Sequence, residues 1–373
     1  MKLVYISNST IPSRAANSIH VMKMCHALAS NGHSVTLLAP NKKEGCEKGI
    51  EDLYDYYGVT DSFNIIKLSW MKIKFINNLY YALCSLFFLF KYRPDYVHGR
   101  DLYACLFSSF FFSTSYEIHN LPNGRVKRTV LKIMINRRKF MHLVVISDAL
   151  KVALHSMKGF GCAEILVAHD AADEPKIHWA TKLKGNEGAI KVGYVGNLYQ
   201  GKGIEVIESI AGRVNNNIEF HIIGGFPEDL SYWEKRIKCD NVFFYGFVPQ
   251  SDLQPYMNAL DICLLPNKKV VMPHGEHRLS ANISEYTSPL KMFEYMASRK
   301  AIVASNLPVL KEVLNAENSV LCDPDIPEEW IKEIAVLAEN DEARARLAEK
   351  AYGDFINNFT WLRRAQLIVG NFK

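Results

Sequence analysis

Three side chains stand where an α/β chain places its chemistry, at the junction of a short apolar run and the segment after it. His119 closes the run Glu117-Ile118-His119-Asn120. An imidazole at the carboxyl end of a strand serves as acid, base or hydroxyl-binding group, and equally well as a core histidine bonded to backbone. Lys202 lies in Asn197-Leu198-Tyr199-Gln200-Gly201-Lys202-Gly203, directly after the run that ends at Gly196. Glycines let backbone come close, and the lysine supplies a point charge suited to phosphate. The spacing is neither GxxxxGK[ST] nor GxGxxG, so the loop is no Walker loop and no dinucleotide fingerprint. Taken alone it reads more simply as a helix start with a solvated lysine.

Glu294 belongs to the most specific stretch of the chain, Ala281 to Ala297. Thr287 or Ser288 reads as a helix cap, Pro289 as a first-turn residue, and Leu290, Phe293 and Met296 as the inward face. A carboxylate one turn beyond Lys291 can accept hydrogen bonds from two vicinal hydroxyls, as ribose recognition requires. The plain alternative is an i,i+3 Lys–Glu surface pair worth about 0.2–0.5 kcal/mol. The loop Ser7 to Ser18 adds Arg14, Ala16 and Asn17 just before a helical pattern. Such a loop favours an anionic or hydroxyl-rich ligand, although an ordinary cap at Asn17 or Ser18 explains it too.

These residues are positioned by β-branched and aromatic runs that alternate with helical-period segments. The runs Leu3–Ser7, Val35–Ala39, Asn64–Leu68, Asp95–His98, Tyr116–His119, Leu143–Ser147 and Ile165–His169 predict the strands of a first half. Val192–Gly196, Phe220–Gly224, Val242–Tyr245, Ile262–Pro266, Ile302–Ser305 and Ser319–Cys322 predict those of a second. Alternation of strand and helix means parallel sheets covered on both faces. Thirteen strands exceed one open sheet, and the pattern restarts near Lys191. The fold class is therefore α/β, with two doubly wound Rossmann-like domains and a ligand cleft expected between them. The first is placed at 1–172, a polar linker at 173–189, the second at 190–357, and a C-terminal helix at 358–373 is expected to return to the first.

Composition narrows the class further. Of 373 residues, 49% are hydrophobic and 22% charged, which is ample for two cores and excludes disordered and collagen-like chains. The net charge of +5 is uneven: residues 1–180 carry 22 Lys/Arg against 14 Asp/Glu, and the rest 22 against 25. The basic half implies an anionic partner. Eight cysteines scattered singly exclude a disulfide framework, and Cys25, Cys105 and Cys263 read as core. The longest apolar run, Leu79 to Phe90, is about half of the ~20 residues a spanning helix needs. A cytoplasmic protein is expected. Basic residues are not interleaved with aromatics as in nucleic-acid modules, so no nucleic acid is expected.

In order, the motifs Gly32-His33-Ser34-Val35, Pro94-Asp95-Tyr96-Val97-His98, Val145-Ile146-Ser147-Asp148-Ala149 and Val195-Gly196-Asn197-Leu198 with Lys202-Gly203 follow one another along the chain. They continue in Tyr245-Gly246-Phe247-Val248-Pro249, Ser288-Pro289-Leu290-Lys291 with Phe293-Glu294-Tyr295-Met296-Ala297, and Phe359-Thr360-Trp361. Over nearly its whole length the chain resembles the family-four retaining glycosyltransferases of GT-B fold, in the subgroup with the SPLKxFEYMA pattern, many of which build bacterial surface polysaccharides. The resemblance implies transfer of a sugar from a nucleotide diphosphate, UDP favoured over GDP, to a glycan or lipid-linked acceptor, with retention. It implies a catalytic set of His119, Lys202 and Glu294, with Lys202 on the diphosphate, Glu294 on the ribose hydroxyls and His119 at the donor sugar. Gly196, Asn197, Phe247, Val248, Thr287, Ser288, Pro289, Leu290 and Lys291 complete the donor set. Arg14, Ala16, Asn17, Arg100, Glu285 and Tyr286 are the candidates for sugar or acceptor contacts.

No cofactor and no divalent metal are expected, because side-chain and amide donors stabilise the leaving diphosphate. Asp323-Pro324-Asp325 resembles a metal-binding DxD only superficially. Two positions depart from the family pattern. Tyr286 stands eight residues before Glu294, where a first glutamate is usual, with Glu285 one residue off. Asn197 stands where an arginine often follows the glycine, so the charge must come from Arg278, Lys291 or Arg14. An epimerase of the same fold and a catalytically silent nucleotide-sugar-binding protein remain rival readings. Between His119 and Ser147 lie seven basic residues and no acidic one. With Lys72, Lys74 and the apolar stretch Ile76–Phe90, they point to peripheral docking on an anionic membrane face, against the plainer reading of a buried helix with a solvated basic face.

Overall fold

The computed structural model describes residues 1–71, 73, 76–161, 163–271, 282 and 284–370. Lys72, Lys74 and Arg278, named above, lie outside that set. The chain divides into two compact units, residues 1–169 with 361–373, and residues 170–360.

Among the described residues of the first unit, seven strands form one sheet: β1 (Lys2–Ile6), β2 (Ser34–Pro40), β3 (Asn64–Leu68), β4 (Tyr96–Gly99), β5 (Thr114–Ile118), β6 (Phe140–Val145) and β7 (Ile165–Val167). The order is β3-β2-β1-β4-β5-β6-β7, all parallel. Both faces of such a sheet are covered, which is why its strands are nearly continuous apolar runs. The helices are α1 (Ala16–Ser30), α2 (Leu53–Tyr56), α3 (Asn77–Tyr92), α4 (Leu102–Ser108), α5 (Arg125–Ile135) and α6 (Asp148–Ser156). Val4, Ile6, Leu38, Tyr81, Leu89 and Val97 form one core layer between sheet and α3.

The second unit repeats the scheme. Its strands are β8 (Ile190–Val195), β9 (Ile218–Ile223), β10 (Val242–Gly246), β11 (Ile262–Leu265), β12 (Ala301–Ser305) and β13 (Val320–Cys322). They run parallel in the order β10-β9-β8-β11-β12-β13. Its helices are α7 (Ile204–Ile210), α8 (Pro227–Arg236), α9 (Leu253–Asn258), α10 (Leu290–Ala297), α11 (Pro327–Glu339) and α12 (Asp341–Asn358). Val192, Ile207, Phe220, Trp233, Ile262 and Trp330 are among its core side chains. The last helix, α13 (Trp361–Val369), belongs to the first unit. There it buries Trp361, Arg364, Ala365, Ile368 and Val369.

Two local expectations change. The stretch expected as a linker is part of the second unit, held by bonds that polarity does not reveal. The Thr181 N–H donates to the Pro255 carbonyl at 3.1 Å and the Lys184 N–H to the Tyr245 hydroxyl at 2.8 Å. Asn258 donates to the carbonyls of Ile177 and Trp179 at 2.8 and 2.9 Å. Strand β5 ends at Ile118, so His119 is the first loop residue rather than the last of the strand.

Candidate active site

In an open parallel sheet the ligand end is the carboxyl edge at the point where strand order reverses. In the second unit that point lies between β8 and β11, and the residues singled out from the sequence gather there. Beyond β8 the chain turns at Gly196 and runs through Asn197, both half-buried, to Lys202. Gly203 has φ +97°, and a Cβ there would lie 2.0 Å from the Pro266 carbonyl oxygen. Gly201, also at positive φ, similarly abuts the Val270 carbonyl. The glycines thus seat the loop on the segment after β11, rather than making room for a ligand as the sequence suggested.

Lys202 is what that seating presents. Burial pushes its ammonium down to about 8. Among the described residues the group has no hydrogen bond or ion pair, and its neighbour is the Tyr199 ring, 5.3 Å away. Lys202 is half-buried, and a partly desolvated cation without an anion costs free energy that an anionic ligand would recover. Lys202 is thus partly enclosed rather than fully solvated.

Glu294 is mostly buried on α10. Its Oε1 accepts from Gln250 Nε2 at 3.0 Å and its Oε2 from Lys291 Nζ at 2.7 Å. The i,i+3 pair therefore forms, in a partly buried setting where Gln250 also holds the carboxylate. Helix α10 is anchored by Tyr295, whose hydroxyl accepts from the Val195 N–H at 2.8 Å. That bond ties the helix carrying Glu294 to the end of the strand that leads to Lys202. The helix begins differently from expectation. Pro289 is the capping residue, without a side-chain cap, and Leu290 is the first helical residue. The Ser288 hydroxyl instead accepts from the Asp170 N–H at 3.2 Å. Met292, Phe293, Tyr295 and Met296 point inward, while Leu290 is only half-buried. Phe247 is exposed, and Val248, Tyr286 and Thr287 are half-buried. Glu285 is exposed. Asp325 is bonded to Lys268 at 2.5 Å and paired with Lys269 at 2.8 Å, and Asp323 is 3.3 Å from Lys269, so lysines engage both carboxylates of the DxD-like turn.

In the first unit strand order reverses between β1 and β4. Arg100 follows β4 there, its N–H bonded to the Ile6 carbonyl at 2.8 Å. Its Nη1 is buried with no hydrogen-bond partner among the described residues, an opening for an anion or a hydroxyl oxygen. Arg14 pairs with Glu47 at 3.0 Å. Helix α1 is capped at Ala15, not at Asn17 or Ser18, because the Ser18 hydroxyl is bonded to the carbonyls of Ser13 and Ala15. Ala16 and Asn17 are exposed in its first turn.

His119 is mostly buried, and its Nε2 lies 2.5 Å from Glu117 Oε1. Glu117 is fully enclosed and contacts Arg364, His20 and His98 as well. Neither Glu117 nor Arg364 was singled out from the sequence, nor were Gln250 and Tyr295. A carboxylate between Tyr116 and Ile118 in a strand buried on both faces was the available signal, since such a charge must have a partner.

Comparison with known proteins decides the class. Residues 189–340 match the family described as Glycosyl transferases group 1. The second unit is a group 1 glycosyltransferase domain. A GDP-mannose-dependent alpha-mannosyltransferase of Corynebacterium glutamicum is 22% identical over 293 residues, covering 72% of this chain and 67% of that protein. Sucrose-phosphate synthase from Thermosynechococcus elongatus superposes with a TM-score of 0.73 at 16% identity, covering 99% of this chain and 98% of the other. The Anabaena protein HepE, in complex with UDP and glucose, gives 0.71 at 15% identity, covering 99% and 98%. The chain thus has the GT-B fold of two Rossmann-like domains. No helix among the described residues is long and apolar enough to cross a membrane.

Proposed function

We propose that this glycosyltransferase moves a sugar from a nucleotide diphosphate to a glycan or lipid-linked acceptor in surface polysaccharide assembly, with retention and without a divalent metal. The observation that carries the reading is the half-buried Lys202, whose ammonium has no ion pair among the described residues and whose pKa is lowered by desolvation, on the same sheet edge as the helix holding Glu294. A diphosphate supplies the missing charge. The carboxylate of Glu294, oriented by Gln250 and Lys291, is the acceptor for the two ribose hydroxyls. By the resemblance His119 is the group for the donor sugar, and Arg100, with a buried Nη1 unpartnered among the described residues, is the candidate for the acceptor. Retention follows if the departing phosphate takes the acceptor's proton within a short-lived oxocarbenium pair.

UDP-sugars are the first donors to assay because the related HepE structure holds UDP. GDP-mannose is the second, because the corynebacterial relative depends on it. The test is a thermal shift with UDP and GDP, followed by transfer from the stabilising donor in EDTA. Stabilisation lost in Lys202→Met, and turnover that survives EDTA, support the reading. A donor sugar epimerised without acceptor, or binding without turnover, sinks the transferase assignment.

We further propose that the first unit docks peripherally on the inner face of an anionic membrane, where a lipid-linked acceptor resides. Helix α3 buries Tyr81, Ala82, Ser85 and Leu89, yet Leu79, Leu83, Phe87 and Phe90, with the capping residue Ile76, are exposed at intervals of three and four residues. It is not the fully buried helix that the plainer reading of the sequence supposed. Phe111 packs on Phe90 with centroids 4.9 Å apart, extending the stripe, and Arg137 stands over the neighbouring Phe110 ring. An apolar stripe beside cations is the composition of an interfacial surface.

A further inference from the structure

The first unit contains a buried charge cluster that the proposed transfer does not yet use. Glu117, on β5, is 1% exposed and Arg364, on α13, is 3% exposed, although 247 positions separate them. Arg364 places Nη2 3.1 Å from Glu117 Oε1 and Nη1 3.2 Å from Oε2. Its remaining donors go to the carbonyls of His169 and Ala168, at 2.9 and 3.2 Å, and to the Met24 sulfur at 3.2 Å. This two-point clamp fixes the carboxylate in position.

Three histidines then meet it from three elements. His98, on β4, brings Nε2 to 3.3 Å from Oε2, and His20, on α1, brings Nε2 to 3.1 Å from Oε1. His119 donates the shortest bond, 2.5 Å to Oε1. Burial alone would raise the Glu117 carboxyl, but Arg364 and His20 hold it well below the usual carboxylate range, so it is ionised and accepts only. The His98 and His119 nitrogens facing it must therefore each carry a proton. The His98 chain is complete, because its Nδ1 bonds Ser115 Oγ at 2.7 Å, which in turn accepts from the Tyr96 hydroxyl at 2.6 Å. The His20 ring stands edge-on to both His119 and Trp361, with centroids 5.2 Å away in each case.

We propose that Glu117, clamped by Arg364 of the C-terminal helix, is a positioning residue for His119, holding Nε2–H inward so that the ring meets substrate through its Nδ1 edge. This rests on the reading of His119 as the group at the donor sugar. His119 alone touches substrate; Glu117 acts through it.

Two measurements test the proposal, one independent of turnover. In the full-length protein, proton NMR should show a far-downfield, exchange-protected imidazole N–H that vanishes in His119→Ala and moves upfield in Glu117→Gln. In the donor assay, Glu117→Gln should lower kcat about ten- to hundredfold with little change in donor KM, since a misaimed group still binds. Once His119 is alanine, Glu117→Gln should cost nothing further. Because Glu117→Gln strands a buried arginine, the double variant Glu117→Leu with Arg364→Met, which removes both charges, should fold and show the same kcat loss. Glu117→Asp, which keeps the carboxylate, should recover part of it. A His119 signal indifferent to Glu117→Gln, or kcat losses that multiply in the His119 background, overturns the proposal. A wild type that transfers no sugar but shows the shifted signal supports the pairing and defeats only the functional reading.

Discussion

Lys202 and Glu294 make opposite demands on their surroundings, and pH tests the lysine. Lys202 sits at about 8 when folded against 10.5 in an ordinary setting, so between these values the unfolded chain binds the extra proton. Keeping it charged costs stability below pH 8, and the cost fades as pH climbs to 10.5. Lys202→Met should therefore melt higher than wild type at pH 7, with the gap closing by about pH 10.5. Binding should respond in the other direction. If the ammonium meets the diphosphate, wild-type donor affinity should fall about tenfold between pH 7 and 9, while Lys202→Met binds weakly and evenly across that range. Calorimetric titration at the two pH values reads both. Glu294→Ala should remove ~2–4 kcal/mol of transition-state stabilisation, one to three decades in kcat/KM, while the protein still folds. Wild-type turnover in this variant would return Glu294 to a structural Lys–Glu pair.

At the scale of elements, the site depends on how tightly the loop after β8 lies on the segment after β11. Gly203 is where that closeness is greatest, and its positive φ adds a second reason for glycine. Gly203→Ala should push the loop off Pro266, weakening nucleotide binding at least tenfold and lowering the melting temperature by several degrees. Nucleotide affinity equal to wild type would show that the loop has room that the geometry denies. Helix α3 makes the corresponding prediction in the first unit. Phe87 is 76% exposed, so Phe87→Ser should leave the fold and soluble donor binding intact. Flotation with anionic vesicles at low salt should fall several-fold, and neutral vesicles should float neither protein. Equal flotation with both vesicle types excludes electrostatic docking.

At the scale of the whole molecule, the notable fact is that the first unit is discontinuous in sequence. The chain leaves it at His169 and re-enters it at Trp361 with α13. Because Arg364 neutralises Glu117 inside that unit, the last helix is part of its core. Arg364→Met alone leaves a buried carboxylate without its clamp, which costs about 3–5 kcal/mol, whereas pairing it with Glu117→Leu should return most of that stability. Thermal unfolding of the two variants reads the difference. Equal destabilisation of single and double variants would mean that packing of the arginine stem, and not its charge, holds α13.

The alternation of apolar runs and helical periods determined all thirteen predicted strands to within a few residues, because burial on both faces leaves a strand no other composition. It also placed Lys202 and Glu294 on one sheet edge, since loops after parallel strands must emerge there. Helix starts were less legible. Ser18 and Ser288 have the right chemistry for caps, but their hydroxyls go to Ser13 and Asp170, partners that only the folded chain brings near. The polar segment 173–189 looked free because its bonds run to Pro255, Tyr245 and Asn258. The joining of Glu117 to Arg364 was least visible of all. Charge pairing across 247 positions leaves no period or spacing in a sequence, and only the return of α13 to the first sheet decides it.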